Sequence, residues 1–206
     1  MRRVVVICSL LALLLPVTAW ASGIDLTNFG GSINITTNGI VSSRSLLKSF
    51  DGITSKSPNG AVGSVYFSTG VFQGSSFWSS GTFSNVGSSF LITSKWGIPG
   101  GGPKGTIFSG TFLAPITWTL DSFNGHEGYV FTLSGMIGGM DWKNDYVTGT
   151  TSQTIQLYKN QWYRDESGEI LLGKTNLNTP EPGTLGLLGT GLVAVAGMLR
   201  RKLIRT

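Results

Sequence analysis

The run Ile116-Thr117-Trp118-Thr119-Leu120 sets three large apolar side chains on one side of an extended chain and two hydroxyls on the other. Side chains of a strand alternate between faces, so this period of two predicts a half-buried antiparallel strand. Tyr129-Val130-Phe131-Thr132-Leu133-Ser134 and Thr154-Ile155-Gln156-Leu157-Tyr158 repeat it, and Val62 to Phe67, Phe90 to Thr93 and Thr106 to Phe112 read as further strands. Turn clusters punctuate them: Ser57-Pro58-Asn59-Gly60, Gly97 to Gly105 with Pro99 and Pro103, Asn124-Gly125 and Gly138-Gly139. Roughly eight to ten strands in one body predict an all-β fold, a single antiparallel sandwich or barrel. Arg44 to Phe50, with Leu46 and Leu47, reads as one short helix or a loop. A loose echo, Gly70 to Phe77 against Gly81 to Phe90, has too few copies for a solenoid and reads as consecutive hairpin strands.

Composition argues the same way. Between Ser22 and Pro180, Gly, Ser and Thr make up 66 of 159 residues, against two alanines (Ala61, Ala114) and three glutamates (Glu127, Glu166, Glu169). Exposed helices draw heavily on Ala and Glu, so little helix is expected. All 11 Phe and all 5 Tyr of the chain fall in this stretch, too many aromatics for an unfolded linker. The formal net charge of +5 sits at the ends, on Arg2, Arg3, Arg200, Arg201, Lys202 and Arg205 less Glu181. The body is neutral, which removes the clustered positive face that nucleic-acid binding requires. Cys8 is the one cysteine and lies near the amino end, so a disulfide framework, a Cys-ligated zinc and a cysteine nucleophile are excluded from the body.

Both ends read as addresses. Met1-Arg2-Arg3 is a positive n-region, Val4 to Leu15 is largely apolar, and Ala19-Trp20-Ala21 supplies small residues at Ala19 and Ala21. That layout predicts a signal peptide over 1–21, cut after Ala21. At the other end Pro180-Glu181-Pro182 precedes an uncharged run from Thr184 to Leu199 and the basic cluster Arg200-Arg201-Lys202. As a helix the run spans about 25 Å, enough to cross a thin bilayer. The cluster belongs on the cytoplasmic side by the positive-inside rule, which places the body outside.

Motif, span and basic stop, in that order over 179–206, resemble the PEP-CTERM sorting signal of Gram-negative bacteria. The resemblance implies an inner-membrane-anchored precursor that an exosortase-type transpeptidase cuts at or near Pro180-Glu181-Pro182. It implies passage to the cell surface or outside, often into exopolysaccharide or biofilm matrix. Similar tails also occur on some ice-binding proteins. The physics fits a cut site, since the prolines hold the motif extended. The expected layout is a signal peptide (1–21), an extracellular β domain (22–178) and the sorting segment (179–206).

The body offers little chemistry. His126, beside Glu127, is the only histidine, too few for a catalytic zinc site, and no Gly-x-Ser-x-Gly elbow frames a serine. Asp141-Trp142-Lys143-Asn144-Asp145 and Arg164-Asp165-Glu166-Ser167-Gly168-Glu169 lack calcium-loop spacing and read as solvated turns. Glu127 with Asp141 or Asp145 is the best carboxylate pair for glycoside hydrolysis, without a supporting motif. No catalytic residue, metal or cofactor is therefore assigned. Of the tryptophans, Trp118 alternates with threonines and reads as core. Trp96, Trp142 and Trp162 sit in turn-rich or charged segments and are the candidate glycan contacts, because an indole offers a flat apolar face to a sugar. Threonine pairs (Thr117/Thr119, Thr148/Thr150, Thr36/Thr37) admit an ice-binding face but lack a fixed repeat. The expectation is a non-enzymatic surface or matrix protein, with a carbohydrate-binding module or weak glycan-active protein, and after these ice binding, as the alternatives.

Overall fold

The computed structural model describes residues 23–36, 38–54, 60–94, 97–99, 101–124, 128–158 and 166–178. Among them are fourteen strands and no helix. Several consecutive strands continue one another along a shared neighbour, so the fourteen form eight long staves. β1 (Gly23–Phe29) and β2 (Ser32–Thr36) run on from one another along β14 (Glu166–Asn178), Gly23 facing Asn178 and Ile35 facing Glu166. The bend between them falls at Gly30-Gly31, where φ is +65° and +84°, a region that favours glycine.

β3 (Gly39–Ser42) and β4 (Ser45–Phe50) fold back on this first stave, and the short β5 (Ile53–Thr54) pairs with the end of β4. β6 (Gly63–Ser68) and β7 (Phe72–Gln73) make the third stave, β8 (Gly81–Phe83) and β9 (Ser89–Ser94) the fourth. β10 (Gly105–Phe112) and β11 (Ile116–Asn124) make the fifth, both paired along β12 (Gly128–Asp141). β13 (Tyr146–Tyr158) pairs with β12 and with β14, and β14 closes the ring onto β1 and β2. The result is an up-and-down antiparallel barrel of eight staves. Of the two architectures that the sequence admits, the barrel is the one that forms.

Alternation decides what fills it. At eight staves a barrel interior is just wide enough for side chains. Trp118, Phe131, Phe83, Phe90, Phe108 and Phe112 point inward and are fully buried. Trp118 stacks on Phe131 at 4.3 Å between centroids and 9° between planes, meets Phe83 edge-on at 5.7 Å, and donates from Nε1 to the Phe77 carbonyl at 2.8 Å. A second part of the interior is polar. Asn28 Nδ2 donates to Ser45 Oγ at 2.8 Å and to Gln153 Oε1 at 2.9 Å. Gln153 Nε2 donates back to Asn28 Oδ1 at 3.4 Å and to Thr151 Oγ1 at 2.9 Å, and Thr151 Oγ1 lies 2.9 Å from Thr175 Oγ1. Amide pairs amide, so groups that are expensive to bury unpaired are satisfied.

Two local readings of the sequence are corrected. Arg44 to Phe50 is neither helix nor loop: Ser45–Phe50 is β4, with Leu46 opposite Phe29 and Leu47 opposite Asn28. Consecutive Thr27 and Asn28 face Ser49 and Leu47, so Lys48 is an extra residue in β4 that breaks its period and hid the strand. Gly138-Gly139 is no turn but lies inside β12, facing Thr111 and Gly110. A Cβ on Gly139 would sit 2.2 Å from the Ser109 carbonyl oxygen, so glycine here serves close backbone approach. The echoed segments do form consecutive hairpin strands, with Phe72 opposite Phe83.

Candidate functional site

The outer face follows from the same alternation. Where Trp118, Leu133 and Gln153 point in, their neighbours Thr117, Ser134 and Ser152 point out. The register carries this row round the barrel: Thr82, Thr117, Ser134, Ser152, Lys174, Thr27, Ser49 and Thr54 are successive cross-strand partners. Thr27 Oγ1 and Ser49 Oγ are 2.5 Å apart. A hydroxyl belt outside an aromatic interior reverses the pattern of a lipid-facing barrel and suits water.

One stretch of this convex surface is concave. Five steps from Phe112 to Thr117 oppose three from Ile137 to Ser134, so two surplus residues bulge between β10 and β11. Pro115 lies in that bulge, where it has no N–H to contribute to a ladder. Ala114, Pro115 and Thr117 line one wall of a groove of about 590 Å³, and Lys174 and Asn176 of β14 line the other. Between them β12 and β13 contribute the short residues Ser134, Gly135, Thr150 and Ser152, with Met136 alongside. The hydroxyls of Ser134 and Ser152 are 3.5 Å apart. Asn176 Nδ2 donates to Asp25 Oδ1 at 2.7 Å, which fixes the amide on the rim. Lys174 is the one charged residue lining the groove. This set holds hydroxyls, an amide and an ammonium, which can exchange hydrogen bonds with a polyhydroxylated molecule.

Of the three tryptophans singled out from sequence, Trp96 and Trp162 lie outside the described residues. Trp142 is half-buried, packs edge-on against Phe50 at 5.7 Å and carries Lys143 Nζ 5.5 Å from its centroid. It closes the Phe50 side of the core more than it offers a free face. Trp142→Ala is therefore expected to lower the unfolding free energy by about 1–2 kcal/mol, read by urea denaturation, while leaving retention on polysaccharide unchanged. Asp141 is buried, its Oδ1 accepting from the backbone N–H of Lys143 at 2.8 Å and of Asp145 at 2.9 Å, so it shapes the hairpin between β12 and β13. His126 and Glu127 lie outside the described residues, as do Arg164 and Asp165. No group of three or more His, Cys, Asp or Glu that could hold a metal occurs among the described residues.

Of the threonine pairs, Thr117, Thr119, Thr148 and Thr150 face outward, and Thr37 lies outside the described residues. Their partners include Met136 opposite Thr150 and Gly138 opposite Thr148, so the pairs do not merge into one threonine array. The groove escaped the sequence reading because its lining comes from four strands, and its only local signal is Pro115 just before an alternating run.

Ala19, Ala21, Pro180, Glu181, Pro182, Arg200, Arg201 and Lys202 all lie outside the described residues. The tail matches a known family model, the PEP-CTERM protein-sorting motif, over residues 178–202. The chain thus carries the motif that its carboxyl end resembled. No curated protein and no solved structure matches the chain.

Proposed function

We propose that this chain is a non-enzymatic structural protein of the surface or extracellular matrix of a Gram-negative bacterium, associated there with exopolysaccharide or biofilm. The observation that carries the reading is the sorting motif over 178–202, which marks an exported, membrane-anchored precursor for exosortase processing. The barrel supports it: outward rows of Ser and Thr hydroxyls exchange hydrogen bonds with a hydrated polysaccharide.

The test is the intact mass of the protein recovered from its native host, from membranes and from surface matrix or medium separately. The expected matrix species begins at Ser22 and ends near Pro180 to Pro182, with added mass if the hydroxyls carry sugar. A membrane species that still ends at Thr206, with none in the matrix, would make the tail a permanent anchor and end the matrix reading. The groove favours a second reading, a carbohydrate-binding module. Ice binding has less support, because Met136 and Gly138 part the Thr148/Thr150 pair from Thr117/Thr119.

A further inference from the structure

We propose that the groove across β11, β12, β13 and β14 is a binding site for an acidic polysaccharide, with Lys174 pairing a uronate carboxylate. This rests on the matrix reading and names the ligand class of that surface.

The chemistry of the lining selects the ligand. A pyranose presents hydroxyls at its edge and C–H groups on its faces. The groove answers the edge with Thr117, Ser134, Thr150, Ser152 and Asn176. Outward positions of a sheet repeat at about 4.8 Å across strands and about 6.8 Å along them, so the floor is a lattice of donors and acceptors. An apolar shoulder answers the faces. Met136, at the end of the floor, is 52% exposed, and Tyr146, beyond it on β13, is 54% exposed. Tyr146 lies across Gly138, where an added Cβ would come 2.6 Å from its hydroxyl and 2.9 Å from Leu113. A glycine under an exposed ring leaves that ring low on the sheet, in line with Met136 and the groove. Tyrosine is suited to such a place, with an apolar body and a polar tip.

Charge narrows the class. Lys174 lines the groove with no carboxylate among the lining residues, and Asp25, which accepts from Asn176 through Oδ1, lies outside that lining. An ammonium among hydroxyls favours a ligand bearing spaced carboxylates, since a charge-assisted hydrogen bond is about twice as strong as a neutral one. A nucleic acid would need a run of cations in place of one. A stable protein partner would need a larger apolar centre than Met136, Leu113 and Tyr146 provide.

The experiment measures retention of the full chain, purified in detergent micelles, on polygalacturonate and on dextran. Three variants with outward side chains, Lys174→Gln, Ser152→Glu and Tyr146→Ala, run beside it, their folding checked by near-ultraviolet circular dichroism. The expected result is binding to polygalacturonate that weakens as salt rises, with dextran bound far less. Lys174→Gln should lose about tenfold in affinity, Ser152→Glu should abolish binding by placing a carboxylate on the floor, and Tyr146→Ala should lose about threefold. Failure of the unaltered chain to bind polygalacturonate, equal binding of dextran, or variants that bind like the parent would each overturn the proposal. Protein present in the host's matrix despite such a failure would leave the sorting reading intact. Tight polygalacturonate binding by a protein found only in membranes would sink the matrix reading and keep the groove.

Discussion

Trp118→Ala is expected to destabilise the barrel by about 4 kcal/mol, the range for emptying a large aromatic site in a packed core. The side chain has 0% exposure and lies between Phe131, stacked at 4.3 Å, and Phe83, met edge-on at 5.7 Å. Its N–H also holds the Phe77 carbonyl, which ties the hairpin between β7 and β8 to the fifth stave. The substitution opens a void between staves four to six and frees that hairpin, so the two losses reinforce one another. Small domains are stable by about 5–15 kcal/mol, and a loss of this size would leave a sizeable unfolded fraction at growth temperature. Urea denaturation followed by tryptophan fluorescence measures it. Trp118→Phe keeps the stack and loses the N–H, and should cost about 1–2 kcal/mol. If the alanine variant were within 1 kcal/mol of the parent, Trp118 would not be the keystone that its contacts describe.

Gln153→Met is the second large effect, expected at about 3 kcal/mol although it conserves volume and raises hydrophobicity. The methionine fills the site but strips Asn28 of the acceptor for one Nδ2 hydrogen and of the donor to its Oδ1. Thr151 loses a donor as well. Asn28 has 1% exposure, so water does not replace the missing partner, and the full desolvation cost of the amide appears. The double variant Asn28→Leu/Gln153→Met removes both halves of the pair and should recover part of the loss, because two apolar partners can replace a paired amide nearly neutrally. Chemical denaturation of the parent, the two single variants and the double measures the coupling directly. Strict additivity of the two singles would mean that the pair carries no shared energy.

The sequence was informative where one strand shows itself by its own alternation. Ile116 to Leu120, Tyr129 to Ser134 and Thr154 to Tyr158 are three of the long staves, readable because each buries one face and wets the other. It was opaque wherever a neighbour decides. Leu46-Leu47 lost its period to a register shift across from Thr27 and Asn28, and Gly138-Gly139 looks like a turn until Gly110 is placed against it. Asn28 and Gln153 are 125 positions apart and look like ordinary surface amides, because nothing in either segment announces that they will meet inside. The groove was hidden for the same reason: its residues are the most ordinary in the chain, and what distinguishes them is adjacency across β11, β12, β13 and β14.

The ring closes by pairing Gly23 with Asn178. A chain made from its amino end must therefore carry β1 and β2 as an unmatched edge until the last thirteen-residue strand has been added. Joining points so distant in sequence is slow, and an open edge meanwhile invites pairing with other chains. Pro180-Glu181-Pro182 begins two residues past that final rung, so a cut there would remove no ladder bond. The closure therefore depends on β14 and on nothing beyond it: a chain lacking that strand cannot seal the ring, and a sealed ring would keep every rung without the residues from Pro180 on.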